Sequence, residues 1–257
     1  MPTEKTINLN ADLGESFGPW VMGDDDALLD VVTSANLACG FHAGDPDVMR
    51  RTVRACVAKG VSIGAHPGYH DLQGFGRRAL KLTHGEIENL IAYQVGALAA
   101  IAALEGGKLT HVKPHGALNN QACADVGIAA AICRAVRGVD PDLILLAPAA
   151  SALLTAGRDT GLRVVEEIFA DRAYQNDGQL APRGTPGAMV HGAENCAAHV
   201  QAMLAAGALI TLSGKRIPTA IGSVCVHGDG AEAVAVARHL RRALEQGGWN
   251  VVPLPAL

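Results

Sequence analysis

Short apolar runs alternate with amphipathic stretches along almost the whole chain. Seven of the runs read as β-strands: Thr6–Asp12, Thr33–Ala38, Val61–His66, Leu109–Lys113, Leu143–Ala147, Arg163–Phe169 and Ala220–Val226. Helix signals lie between them. Asp45 stands as N-cap before Pro46 at the first helical position, and Gly60 falls where a left-handed C-terminal glycine belongs. Thr83 and Glu86 have capping-box spacing ahead of an apolar run that ends at Gly106. Asp229 and Glu232 repeat that spacing before a last helix that stops at Gly247. Alternating β and α elements imply a parallel sheet with right-handed crossovers. No Pro/Ser-rich linker interrupts the pattern, so one domain over residues 1–257 is expected.

The polar positions decide how that sheet closes. An open parallel sheet is covered on both faces, and its strands read as nearly continuous apolar runs. Here polar residues recur at period two instead. Asn8, Asn10 and Asp12 share one face of the first run, and His111, Lys113 and His115 share one face of the fourth. Gly64 and His66 share parity, as do Glu167 and Asp171, and Cys225 and His227. Only the fifth run, LILLAPA, contributes nothing polar. One polar face pointing inward from strand after strand suits a barrel with its site at the C-terminal mouth. The predicted fold class is α/β, an irregular seven-stranded parallel βα (TIM-like) barrel.

Composition narrows the picture further. Hydrophobic residues make up 49% of the chain and aromatics only 4%, so the core must be built from aliphatic side chains. A formal net charge of −4 leaves no electrostatic footprint for nucleic acid or an anionic membrane. Six scattered cysteines without a CxxC pair fit reduced, partly buried thiols. The N-terminal stretch lacks the apolar region of a signal peptide. The tract near Val95–Leu104 is broken by Gly96 and falls short of the roughly 18 residues of a membrane helix. A cytoplasmic protein is expected.

Several ionisable residues have ordinary explanations. Asp45 and Asp229 are accounted for as N-caps as readily as by function. His84 and His239 read as surface residues, Glu15 and Asp71 as turn carboxylates, and Arg77-Arg78 as an exposed pair, although GFGRR places that pair in a loop able to approach a ligand. Asp12, His66, Lys113 and His115 are harder to dismiss, because burying them without a task carries a desolvation cost. His66 and His70 are separated by Pro67 and Gly68, which argues against one helical face. His111 and His115 on an extended strand would stand roughly 13 Å apart. No protein-bound metal is therefore expected. No Walker A sequence and no GxSxG elbow is present. Cys39, in ACGFH, reads as a small buried thiol.

Taken together, NADLGESFG, SANLACGFHAGDP, GAHPGY-DL-GFGRR, Gln94, VKPHGAL-N, E-FADRAY, DG-L-PR and CVHGD resemble the LamB/YcsF family along essentially the whole chain. That resemblance implies a hydrolase of a cyclic amide: the A subunit of a 5-oxoprolinase, opening 5-oxo-L-proline to L-glutamate at the expense of ATP, together with partner subunits B and C. It also implies a barrel similar to those of glycoside hydrolases and polysaccharide deacetylases. Three positions depart from the family pattern: Asn119 for a usual Tyr, His70 for a common Pro, and Gly222 where an Asp often precedes the CVHGD strand.

Opening a lactam needs a base for water, a cation for the developing oxyanion and an acid for the ring nitrogen. Asp12 or His66 is the expected base, Lys113 the oxyanion partner and His115 the acid. Arg78 or Arg172 is expected to clamp the substrate carboxylate. Asn10, Glu15, Asn36, His42, Glu167, Asp171 and His227 complete the expected substrate-binding set. With no phosphate-loop sequence in this chain, a partner is a candidate for holding ATP; a divalent metal is compatible with the chemistry. The alternatives are a stand-alone metal-dependent deacetylase or glycan hydrolase, and a non-catalytic scaffold.

Overall fold

All seven expected strands form, each within a residue of its expected bounds. The computed structural model describes residues 5–230 and 232–257. The strands are β1 (Lys5–Leu13), β2 (Ser34–Ala38), β3 (Ser62–His66), β4 (Leu109–Val112), β5 (Ile144–Pro148), β6 (Val164–Phe169), a short β7–β8 hairpin (Ala208–Ile210 and Arg216–Pro218), β9 (Ile221–Val226) and β10 (Trp249–Val251). The first six pair in chain order, β9 pairs with β6, and β9 also pairs with β1, closing a seven-stranded parallel barrel. β10 extends the sheet beside the start of β1, and the hairpin stands apart as the only antiparallel pair of named strands among the described residues.

The helices are α1 (Asp25–Leu29), α2 (Pro46–Lys59), α3 (His84–Leu104), α4 (Gly116–Ala124), α5 (Val126–Val139), α6 (Ala152–Asp159), α7 (Ala193–Ala206) and α8 (Ala233–Gln246). Most begin where the capping chemistry places them. Asp45 accepts from the backbone N–H groups of Asp47 and Val48, and Gly60 ends α2 in the left-handed region. Thr83 and Glu86 form both arms of a capping box on α3. The last helix differs: Glu232 is its N-cap with no side-chain bond, and Asp229 pairs with Arg77 at 2.7 Å instead. The nearby guanidinium outcompetes the helix terminus for that carboxylate.

Membrane length also needs correcting. Over its 21 residues α3 is long and apolar enough to cross a membrane by composition alone. Here it is a barrel-covering helix: Ile87, Ile91, Val95 and Leu98 are buried in the core, and Gln94 ties it to Gly68 through bonds to that residue's N–H and C=O.

The barrel interior is layered. At the N-terminal end Asn8 donates to Ser34 and Thr33, and Ser223 donates to Asn8. Register sets Ile144 beside inward His111, and Ile144, Leu146 and Val165 pack with Leu254 of the C-terminal 3-10 turn. Gly222 lies at this same end, where a Cβ would meet Val165 at 2.9 Å. A carboxylate at that position would thus stand at the floor and not at the mouth. Between floor and mouth, Gly64 leaves room for the His111 imidazole, which lies 2.1 Å from where a Cβ would sit. All six cysteines are free and buried.

Candidate active site

Above that floor, β1 and β4 bring Asp12 and Lys113 together at the mouth. Lys113 Nζ donates to Asp12 Oδ1 at 2.9 Å and to Cys225 Sγ at 2.9 Å, and lies 3.4 Å from Glu167 Oε1. Burial alone would raise the Asp12 carboxyl, but attraction to His66 and Lys113 outweighs it and holds the group well below the carboxylate range. Burial likewise works against the Lys113 ammonium, and Asp12, Cys225 and Glu167 together reverse it. The result is a buried ion pair whose two members are both 5% exposed or less. Desolvation pushes the Cys225 thiol up, so it accepts from the ammonium as a neutral sulfur.

Asn10 and Asn36 brace this pair from below. Asn10 donates to Glu167 Oε1 at 2.9 Å, and Asn36 donates to Asn10 Oδ1 at 2.7 Å and to Asp12 Oδ1 at 2.9 Å. His111 Nε2 completes the chain to Asn36 Oδ1 at 3.0 Å. Burial and the nearby Lys113 charge take the His111 pKa down to about 3, so this imidazole is a neutral strut.

Beside the ion pair, four loops converge on a histidine cluster. His66 Nδ1 donates to the Lys113 carbonyl at 2.7 Å, and His115 Nε2 donates to the Phe75 carbonyl at 2.8 Å. His42 stacks flat on His115 with centroids 3.7 Å apart and reaches Glu15 Oε1 at 3.3 Å. Phe75 holds φ +54, unusual for a side chain with Cβ, and Gly76 at φ +61 passes so close that a Cβ would meet His42 at 2.7 Å. Burial raises the Glu15 carboxyl and lowers His42 and His115.

A cavity of about 470 Å³ opens over these groups. Asp12, His66, Lys113 and His115 form part of its lining, and Arg77, Arg172 and Arg183 bring three guanidiniums to it. Arg172 Nη2 donates to the Ala181 carbonyl at 2.6 Å, whereas its buried Nε has no partner. His227 also lines the cavity, its Nδ1 held at 2.9 Å from the Asp171 carboxylate. Such a space can hold a small anion, orient a carbonyl against a buried ammonium and present an imidazole fixed by a carboxylate.

The cavity thus contains or adjoins every expected site residue but one. Arg78 turns away and pairs with Asp71, outside the lining; the tight turn through Gly74, Phe75 and Gly76 gives the cavity to Arg77 instead. Asn119 lines it, but His70 does not and instead packs on Phe41 at 4.8 Å. Cys39 donates to the Leu37 carbonyl, and burial pushes its thiol up to about 12, so it is no nucleophile. Sequence reasoning missed Arg183 and Phe169 as lining residues, although PR in DG-L-PR and F in E-FADRAY carry both.

Comparison with known proteins places this geometry. The sequence model of the LamB/YcsF family matches residues 7–257. A protein of Azoarcus sp. (strain BH72), named as the A subunit of 5-oxoprolinase, is 60% identical over 98% of this chain and 98% of its own. The crystal structure of lactam utilization protein from Thermus thermophilus superposes with a TM-score of 0.91 at 43% identity, covering 97% of this chain and 100% of that one. The catalytic domain of peptidoglycan N-acetylglucosamine deacetylase from Eubacterium rectale ATCC 33656 matches at a TM-score of 0.53 and 12% identity over 99% of this chain and 90% of that one, a likeness of fold alone.

Proposed function

This chain belongs to the LamB/YcsF family, and on that premise we propose that its barrel mouth opens the lactam of 5-oxo-L-proline as the A subunit of an ATP-dependent 5-oxoprolinase. The observation that carries the reading is the end-to-end likeness to a chain named for that role. The site's chemistry supports it. The substrate is a five-membered lactam with one carboxylate, small enough for the cavity and anionic enough for its three guanidiniums.

Amide resonance makes the lactam carbonyl a poor electrophile. Phosphorylation of its oxygen by ATP opens the carbon to water; expulsion of the ring nitrogen then leaves an acyl phosphate, and a second water releases phosphate and glutamate. Asp12, held ionised, is a weak base, which suffices to orient water toward a carbon already activated. Lys113 Nζ, desolvated and fixed by three neighbours, is the cation set against the phosphorylated oxygen and against the oxyanion that forms as water attacks the acyl phosphate. Protonation of the departing ring nitrogen falls to His227 in preference to His115. His227 lines the cavity with its Nδ1 set by Asp171, whereas His115 has one nitrogen on the Phe75 carbonyl and the other facing His66. Partner subunits B and C are the proposed holders of ATP, since no phosphate-binding loop is visible in this sequence.

Co-expression with candidate partners tests the reading. ATP-dependent glutamate release should require this chain and fail without it. Glutamate release unaffected by its omission, or hydrolysis of acetylated glycans by the chain alone, would overturn it.

A further inference from the structure

Two ring nitrogens at the mouth face each other with nothing to exchange. Carbonyl oxygens only accept hydrogen bonds, so the bonds to the Lys113 and Phe75 carbonyls put the protons on His66 Nδ1 and His115 Nε2. With both rings neutral the remaining nitrogens, His66 Nε2 and His115 Nδ1, carry lone pairs; they lie 3.0 Å apart, and Asp12 Oδ2 stands 3.4 Å from the first. Two acceptors at that distance repel unless a positive species, a proton or a metal ion, joins them. Around the same point stand Glu15 Oε1, 3.7 Å from His115 Nδ1, and His42 Nε2, 3.3 Å from that Glu15 oxygen. One donor atom from each of the four residues lies within 4.8 Å of all the others, and all four residues are buried.

We propose that Glu15, His42, His66 and His115 form a binding site for one divalent transition-metal ion, zinc by preference. Bonds of roughly 2.0–2.1 Å in tetrahedral geometry place neighbouring donors about 3.3 Å apart, and the observed 3.0, 3.3 and 3.7 Å separations bracket that edge. Nitrogen-rich donors with one carboxylate suit zinc and its neighbours better than magnesium or calcium, which take oxygen. The outer partners fit as well, because metal-bound histidines donate their second N–H to a carbonyl or carboxylate, as His66 and His115 do here. His66 and His115 also line the cavity beside Asp12 and Lys113, so an ion held by all four donors would fix the wall against which those two groups stand. The inference stands on donor geometry and not on the identity of the substrate.

The test uses the isolated full-length chain without partners or ATP, so its failure is separate from failure of the activity assay. After dialysis against a chelator, the protein is titrated with Co2+ and with Zn2+. Expected are one equivalent bound, the intense visible absorption of low-coordinate cobalt, bleaching by added Zn2+, and a rise in Tm. His66→Gln and His115→Gln, checked for folding by circular dichroism, should each weaken binding by more than the roughly 10–100-fold that loss of an outer partner costs. His84→Gln, an exposed histidine, should bind as the wild type does. No binding and no Tm shift with either ion in the wild type would overturn the proposal. So would binding that survives both cluster substitutions in folded protein.

Discussion

The two ends of the barrel interior are both polar, yet they are built on opposite terms. At the floor, Asn8, Thr33, Ser34, Ser62 and Ser223 form a neutral network in which each side chain bonds to another or to a backbone carbonyl. At the mouth the groups are ionised or ionisable, and buried atoms remain unpartnered on His42, Glu167 and Arg172. A satisfied neutral network fixes a structure. Buried charges and unfilled donors cost stability and are retained where a ligand will meet them. The floor therefore has the build of a scaffold and the mouth that of the proposed site, though Asn8 and Asp12 share one inward face of the same strand.

The contrast should break most visibly at Lys113. Lys113→Met takes the ammonium from the buried, ionised Asp12 and leaves only His66 and the Asn36 amide beside it, which should destabilise the fold by up to about 3–5 kcal/mol. Adding Asp12→Asn removes that buried charge and should recover most of the loss, read as urea midpoints of the single and double variants. Recovery of stability without recovery of activity separates the two roles of the pair.

At the cavity wall the effect should fall on substrate binding. Arg183→Ala should raise KM for 5-oxoproline about 10–100-fold, from ~1.5–3 kcal/mol for a hydrogen bond to a charged group, with a smaller change in kcat. A steady-state titration of the assembled complex measures this. An unchanged KM would remove Arg183 from the anion clamp.

The floor should respond in the opposite currency, stability without function. Asn8→Ala removes the acceptor of the Ser223 hydroxyl and one of the two side-chain donors to the Val252 carbonyl, the other being Thr33, at a cost of about 1–3 kcal/mol. Its urea midpoint should drop while kcat per folded chain stays at the wild-type value. Arg78→Ala should do least, changing KM less than about twofold, because that guanidinium is committed to Asp71 outside the cavity.

Much of this division can be read from the chain. Period-two polarity in NLNAD and HVKPH marks the inward face, and the caps at Asp45 and Thr83 place two helices. The hairpin of three-residue strands at Ala208–Ile210 and Arg216–Pro218 lies below the length at which periodicity carries a signal. Arg77 and Arg78 cannot be told apart in sequence, since a left-handed turn at Phe75 and Gly76 decides which one enters the cavity. Asp229 has ideal cap spacing yet meets a guanidinium 152 positions away. The histidine cluster escapes for the same reason. His66/His70 and His111/His115 have suggestive spacings, but the group that forms takes one member from each pair and adds His42 and Glu15 from two other loops.

The claim that the charged mouth does the chemistry is tested most directly by the doubly substituted chain, Asp12→Asn with Lys113→Met, in complex with its partner subunits. Assembly should be intact by size-exclusion chromatography, and ATP-dependent glutamate release should fall to the level of a complex lacking this chain. An assembled complex that keeps full activity with both charges removed would contradict the account.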